Sequence, residues 1–194
     1  TWCTKNNVLL IFDEIQSGIG RTGAWFNYHH HNVVPDILTT AKGIASGLPL
    51  GACISTKTIM DQWTTGSHGG TYGGNPVSCA AGSATLNIIE PLLPNIQALG
   101  EHTLQRLSTE LNNCNNIAEI RGKGLMIGIE FKEVNGTANA DTVTNIRAAC
   151  LEQQLLILSC GKHGNVIRLM PPLTISKKTL DKGLDTLISI CQQQ

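Results

Sequence analysis

The chain has 194 residues, 41% of them hydrophobic and only 14% charged: enough apolar material for a sizeable core, and too little charge for a disordered chain. Basic and acidic residues balance at 14 each, a formal net charge of +0 at pH 7, which argues against nucleic acid or an anionic membrane as the main partner. No apolar run approaches the ~20 residues that a membrane-spanning helix needs.

Residues 8–12, Val-Leu-Leu-Ile-Phe, form a continuous apolar run that ends in Asp13-Glu14, the pattern of a buried strand in a parallel sheet. A glycine-rich connection follows over 16–23, then a short helix or turn over 24–32. His29, His30 and His31 are read as exposed near a helix end, because three consecutive side chains do not converge on one metal ion. Pro35-Asp36 precede a second strand at 37–40, which runs into Ala41-Lys42-Gly43 and a stretch punctuated by Gly47, Pro49 and Gly51. A third strand is expected at 51–56 and a short helix at 57–63. Residues 64–75 are rich in glycine, with serine, threonine and histidine, and show no core periodicity, so they read as a long loop.

Pro76 suits the first turn of a long helix with Asn75 as its cap, and Pro91 and Pro94 interrupt that helix near its end. A second helix is expected at 96–111, with Leu99, Leu104, Leu107 and Leu111 sharing one face. Residues 118–131 alternate as antiparallel strands around Gly122 and Gly124. A helix at 141–154, strands at 155–159 and 166–170, and a last helix capped by Ser176 and reaching Cys191 complete the chain. The reading is α/β, divided into 1–95 and 96–194, the second part being α+β. Seven cysteines are scattered singly with no Cys-x-x-Cys pair, as expected of reduced apolar filler in a cytoplasmic or matrix compartment; no metal site is expected.

Two strands that each deliver one charged group, Asp13 and Lys42, to a C-terminal edge mark a candidate ligand site, since ligands of open α/β sheets bind at that edge. A lysine in an apolar, glycine-lined turn loses hydration, which lowers its pKa and frees the amine to form a Schiff base with a carbonyl. Pyridoxal phosphate uses such a lysine, often with an acid on its pyridinium nitrogen, a role open to Asp13. Taken singly, each residue also has a plainer reading: Lys42 as a solvated loop lysine, Asp13 as a turn former.

The stretches LLIFDEIQSGIGRTG (9–23), PDILTTAKGIASGLPLGA (35–52), GSHGGTYGGNPVSCAA (66–81) and NVIRLMPPLT (165–174) occur in order over essentially the whole chain. Together they resemble the class III (subgroup II) pyridoxal-phosphate-dependent aminotransferases, and the last stretch is most similar to that of 4-aminobutyrate (ω-amino acid) aminotransferases. The resemblance implies a fold-type I transferase: 1–95 would be the C-terminal part of the large cofactor-binding domain, and 96–194 the small domain with its linking helix. It implies a chain starting partway through the large domain, with the family's phosphate loop and ring-stacking aromatic upstream, and so weak turnover by this chain alone. A non-catalytic remnant or interaction module is the rival reading of another class.

By the same resemblance, Lys42 matches the Schiff-base lysine, which also carries the proton between substrate and cofactor. Asp13 matches the pyridinium partner and Gln16 a contact to the cofactor's ring oxygen. Thr71 matches a phosphate contact made across a homodimer interface, and Arg168 the arginine that grips a substrate carboxylate. Arg21 belongs to a family motif but reads equally as loop scaffolding, and Lys123 and Glu130 as solvated or structural. The implied reaction moves an amino group from an ω-amino acid such as 4-aminobutyrate to a 2-oxo acid such as 2-oxoglutarate. Ornithine, acetylornithine or diamine transamination is the nearest alternative; an aminomutase or racemase on the same scaffold is a further one. The Asn135-Gly-Thr137 sequon is read as incidental.

Overall fold

The structure, a computed structural model, describes residues 2–194. The chain divides into two compact units, Thr1–Leu93 and Pro94–Gln194.

The first unit begins with a four-residue helix, α1 (Trp2–Lys5), which the sequence pattern did not announce. Its sheet has three strands in the order β1 (Ile11–Asp13), β2 (Ile37–Thr40) and β3 (Ala52–Ser55). β1 runs parallel to β2, and β3 is antiparallel to it. Asp36 closes the start of the parallel pair: its carboxylate accepts from Leu10 N at 2.8 Å, while Asp36 N and Ile37 N donate to Leu10 O.

The buried run expected at 8–12 is corrected here. Only its end is strand, and Val8, Leu9 and Ile11 are 45%, 55% and 58% exposed. β1 is an edge strand, with Ile11 exposed while Phe12, on the other face, lies beside Tyr28 with ring centroids 6.4 Å apart.

A short helix, α2 (Lys57–Met60), leads into turns over 61–75. α3 (Pro76–Ile89) starts as expected, with Asn75 Oδ1 accepting from Val77 N at 2.9 Å and Ser78 N at 3.2 Å. This caps donors that the helix cannot satisfy itself. Gly82 lets α3 lie close on the segment after β2, since a Cβ there would meet Leu50 Cδ2 at 2.9 Å and Ile44 O at 3.5 Å.

The second unit is an antiparallel sheet ordered β4 (Ile117–Lys123), β5 (Met126–Phe131), β7 (Val166–Leu169) and β6 (Leu158–Cys160). It is accompanied by α4 (Leu93–Glu110), α5 (Ala140–Glu152) and α6 (Lys177–Cys191). Its core is apolar and closed: Ile96, Leu107, Leu125, Ile129, Phe131, Ile146, Ile167 and Leu187 are all fully buried. The strand expected at 155–159 begins later, because the chain first reverses after α5. Gln154 takes φ +61 and Leu155 N donates back to Cys150 O at 2.8 Å, a left-handed helix end.

Two features tie this unit together. Gly100 of α4 lies so close to the β4–β5 turn that a Cβ would fall 2.3 Å from Gly124 O. At the surface, Asp181 of α6 receives Lys177 Nζ at 2.6 Å, His102 Nε2 at 2.6 Å and Arg106 Nη1 at 3.3 Å, and Arg106 also reaches Asp185 at 2.8 Å. The side-chain hydrogen bonds to Asp181, from Lys177 foremost and then His102, hold its carboxyl far below the usual carboxylate range.

Two outcomes are expected. Gly100→Ala forces a methyl into backbone and should cost about 1–3 kcal/mol by denaturant unfolding. Asp181→Asn should lower stability at neutral pH. The folded-state carboxyl is depressed, so its contribution is present above the unfolded value of about 3.9 and fades as pH falls below it. Wild type and variant should therefore differ in melting temperature at pH 7 and converge in strong acid.

Candidate active site

The edge where β1 and β2 end collects the charged groups. In the parallel register Asp13 stands opposite Thr39, and Glu14 N donates to Thr39 O at 2.9 Å. Asp13 Oδ1 accepts from Ile15 N at 2.9 Å, an Asx turn that fixes the carboxylate at the exposed rim.

Successive side chains of a strand point to opposite faces. Next to exposed Asp13, Glu14 is only 3% exposed. Its carboxylate takes three donors: Ser17 Oγ, Asn27 N at 3.0 Å and Tyr28 N at 2.9 Å. Gly18 N returns to Glu14 O at 2.9 Å, and a Cβ on Gly18 would fall 2.7 Å from that oxygen and 3.0 Å from the Phe26 ring. Phe26 in turn stacks on Tyr28 with centroids 6.0 Å apart. Residues 14–28 are thus folded around one buried acid, and Gln16, half-buried, lies within this loop.

His30 departs from its expected exposure. It is half-buried, with Nε2 3.0 Å from Thr22 O, whereas His29 and His31 are exposed. Burial pulls Arg21 below its ordinary pKa.

From β2 the chain passes through Ala41 into a 3-10 turn over Lys42–Ala45. Lys42 has φ +47, a left-handed conformation that costs an L-residue about 1–2 kcal/mol. Such strain persists only where surrounding structure over-determines it, and it clusters at functional sites. Ser46 ends the turn at φ +49, and its hydroxyl lies 3.0 Å from Thr85 Oγ1, which donates to Ala81 O of α3. The expectation of an enclosed, desolvated Lys42 is corrected: the side chain is exposed, because Gly43 and Gly47 supply no walls and Leu48 faces outward. Thr40, two residues earlier, is 2% exposed, and its Oγ1 has no hydrogen-bond partner among the described residues.

The structure therefore brings Asp13, Gln16 and Lys42 to one edge of the first unit. Thr71 is exposed in a loop of that unit where Gly66, Gly69, Gly70 and Gly74 have nothing within 4 Å of an added Cβ. Arg168 belongs to the second unit. It sits on β7 between Ile167 and Leu169, opposite Gly128 on one side and Leu158 on the other. It is half-buried, and its Nε is buried with no partner among the described residues. It also lines a cavity of about 410 Å³, walled mainly by apolar residues such as Leu155, Ile157, Leu169, Pro171 and Leu184. Among the described residues, no group of three or more His, Cys, Asp or Glu could hold a metal ion, and no helix is long and apolar enough to cross a membrane.

Sequence reasoning missed two contributors. Glu14 was visible beside Asp13, but nothing in the pattern told its buried role from a second rim acid. Ile19, discussed below, gives no signal at all, because a β-branched residue is not expected at positive φ.

A sequence profile of the family described as Aminotransferase class-III matches residues 1–191. The chain belongs to this family. Among curated relatives, the 4-aminobutyrate aminotransferase of Mycobacterium leprae is 44% identical over 193 residues, covering 97% of this chain and 43% of the relative. The acetylornithine/succinyldiaminopimelate aminotransferase of Photorhabdus laumondii is 40% identical over 195 residues, covering 98% of this chain and 46% of the relative. Among solved structures, the ornithine aminotransferase of Plasmodium yoelii superposes with a TM-score of 0.88 at 36% identity, covering 98% of this chain and 50% of that one. A Bacillus anthracis aminotransferase gives 0.91 at 33% identity, covering 99% and 46%. The chain thus spans under half the length of these curated relatives. Class III aminotransferases depend on pyridoxal phosphate, and the α/β fold read from the sequence is theirs.

Glu14→Ala should leave the Asn27 and Tyr28 amides without their acceptor. With a penalty of about 1–3 kcal/mol for each unsatisfied buried donor, unfolding should show a loss of at least that size.

Proposed function

We propose that this chain carries the cofactor-facing acid and amine of a pyridoxal-phosphate-dependent aminotransferase, with Lys42 as the Schiff-base lysine. The observation that carries the reading is that two parallel strands end side by side, Asp13 closing β1 opposite Thr39 and Lys42 following β2 by two residues at φ +47. The donor set fits the group: one carboxylate, one primary amine and one carboxamide, that of Gln16, at one edge. When bound, pyridoxal phosphate supplies an electron sink for the bonds at the amine-bearing carbon.

The chain's own residues then have distinct tasks. Asp13 stabilises a protonated ring nitrogen by a charge-assisted hydrogen bond. Gln16 is assigned the ring oxygen. With the cofactor bound, Lys42 Nζ would hold its carbonyl end and, once free, would serve as the base and acid for the proton at the substrate's amine-bearing carbon. Thr71 and the backbone amides of its glycine-rich loop are assigned the phosphate of a partner copy in a homodimer. The outward exposure of that loop supports the assignment. Arg168 is assigned a substrate carboxylate, which its planar fork can grip in bidentate fashion. Its unpartnered Nε in a largely apolar wall supports that role.

The donor is an ω-amino acid such as 4-aminobutyrate and the acceptor a 2-oxo acid such as 2-oxoglutarate, in a soluble, cytoplasmic enzyme. The 44% and 42% identities to 4-aminobutyrate aminotransferases support this donor. Ornithine or acetylornithine is the second reading, favoured by relatives and solved structures so named at 35–41% identity.

In the catalytically competent protein, Lys42→Ala should abolish both transamination and the visible absorption of lysine-bound cofactor. A variant keeping either removes the assignment. Assayed with 4-aminobutyrate, ornithine, acetylornithine and β-alanine, the enzyme should prefer 4-aminobutyrate; indifference to it sinks the donor reading.

A further inference from the structure

Lys42 is not the only strained residue at its edge. Ile19 has φ +54, is buried, and sits between Gly18 and Gly20. For a β-branched residue this backbone conformation is a true outlier, because Cβ crowds the adjoining carbonyl. Its environment leaves it little choice. On one side, Gly18 is locked against Glu14 O and the Phe26 ring; on the other, Gly20 N donates to Trp25 O at 3.3 Å. The loop around the Glu14 carboxylate thus delivers the Ile19 side chain to one fixed place.

That place is the underside of the Lys42 turn. A Cβ built on Gly43 would lie 3.8 Å from Ile19 Cβ, so Ile19 is the side chain from outside the turn that borders this side of Gly43. Ile19 is placed beside Gly43, next to Lys42, and the Ser46–Thr85 hydroxyl pair ties the far end of the turn to α3. Two segments more than twenty positions apart, each with a residue in a rare conformation, are thus brought close together.

We infer that Ile19 is a positioning residue for Lys42: its buried side chain props the turn so that the lysine stays in the left-handed conformation that sets the direction of its amine. A negative φ at Lys42 would carry the side chain to another side of the turn. The backbone part of this inference stands on the geometry alone, and its consequence for the amine rests on the Schiff-base reading given above.

The test is made on the full chain without cofactor and again with added pyridoxal phosphate. Ile19→Gly removes the prop while relieving Ile19's own unfavourable φ, so the loop itself is not further strained. Ile19→Val keeps a β-branched prop. Should Ile19→Gly fail to fold, Ile19→Ala is read the same way, with circular dichroism and melting temperature checking the fold. In the unliganded chain, NMR backbone coupling and Cα/Cβ shifts at Lys42 report its φ directly. Wild type and Ile19→Val should show the left-handed signature, and Ile19→Gly should move towards negative φ.

With pyridoxal phosphate and borohydride, peptide mass spectrometry then reads the label on Lys42 relative to surface lysines such as Lys57. That ratio should fall by about tenfold or more in Ile19→Gly, the scale on which ångström misplacement of a reacting group shows, and recover in Ile19→Val. Retention of the left-handed signature in Ile19→Gly, or failure of Ile19→Val to restore it, overturns the inference. A wild-type chain that takes no selective label at Lys42 overturns the Schiff-base reading instead, and the backbone comparison still decides the role of Ile19.

Discussion

The architecture of the first unit depends on a carboxylate taken out of water. A buried charge is tolerated only when hydrogen bonds replace its lost hydration, and Glu14 obtains them from one hydroxyl and two backbone amides with no cation among these partners. The arrangement does more than settle one residue. By drawing Asn27 and Tyr28 back to the end of β1, it closes a loop that would otherwise be open glycine-rich chain. The alternation of a strand then leaves Asp13 on the rim, so two neighbouring acids stand in opposite environments, one buried and one exposed.

The second unit uses different means. Its core is a continuous apolar packing with α4 pressed so near the β4–β5 turn that only glycine is accommodated at position 100. Its polar bracing is a surface network around Asp181, where solvent screens each pair and the network matters more than any one member. Arg168 breaks this pattern, with a guanidinium nitrogen buried without a partner among the described residues, in a wall of leucines and prolines.

Much of this was legible beforehand, and the reasons are local. Asn75 before Pro76 and Ser176 before the last helix are caps whose side chains can do little else, and both act as such. Residues 37–40, bounded by Pro35 and by the Lys42–Gly51 turn residues, could only be a short strand. What failed to show depended on tertiary context. The apolar run at 8–12 has the composition of a buried strand whether or not anything covers it, so its exposure could not be read. The late start of β6 follows from a left-handed Gln154 that composition does not demand. The enclosure imagined for Lys42 assumed that apolar neighbours in sequence are neighbours in space, yet glycines make a turn tight without making it covered. Motifs over the whole chain identified the class, while the buried task of Glu14 and the strain in Ile19 emerged only from coordinates.

The edge position of β1 bears on solution behaviour. The hydrogen-bonding edge beside Leu9 and Ile11 is blunted by its three-residue length and by exposed Asp13 at its end, while the molecule's zero net charge supplies no long-range repulsion between copies. Asp13 is thus the strand's one charged guard against edge-to-edge pairing, and a second charge placed at Ile11 would reinforce it.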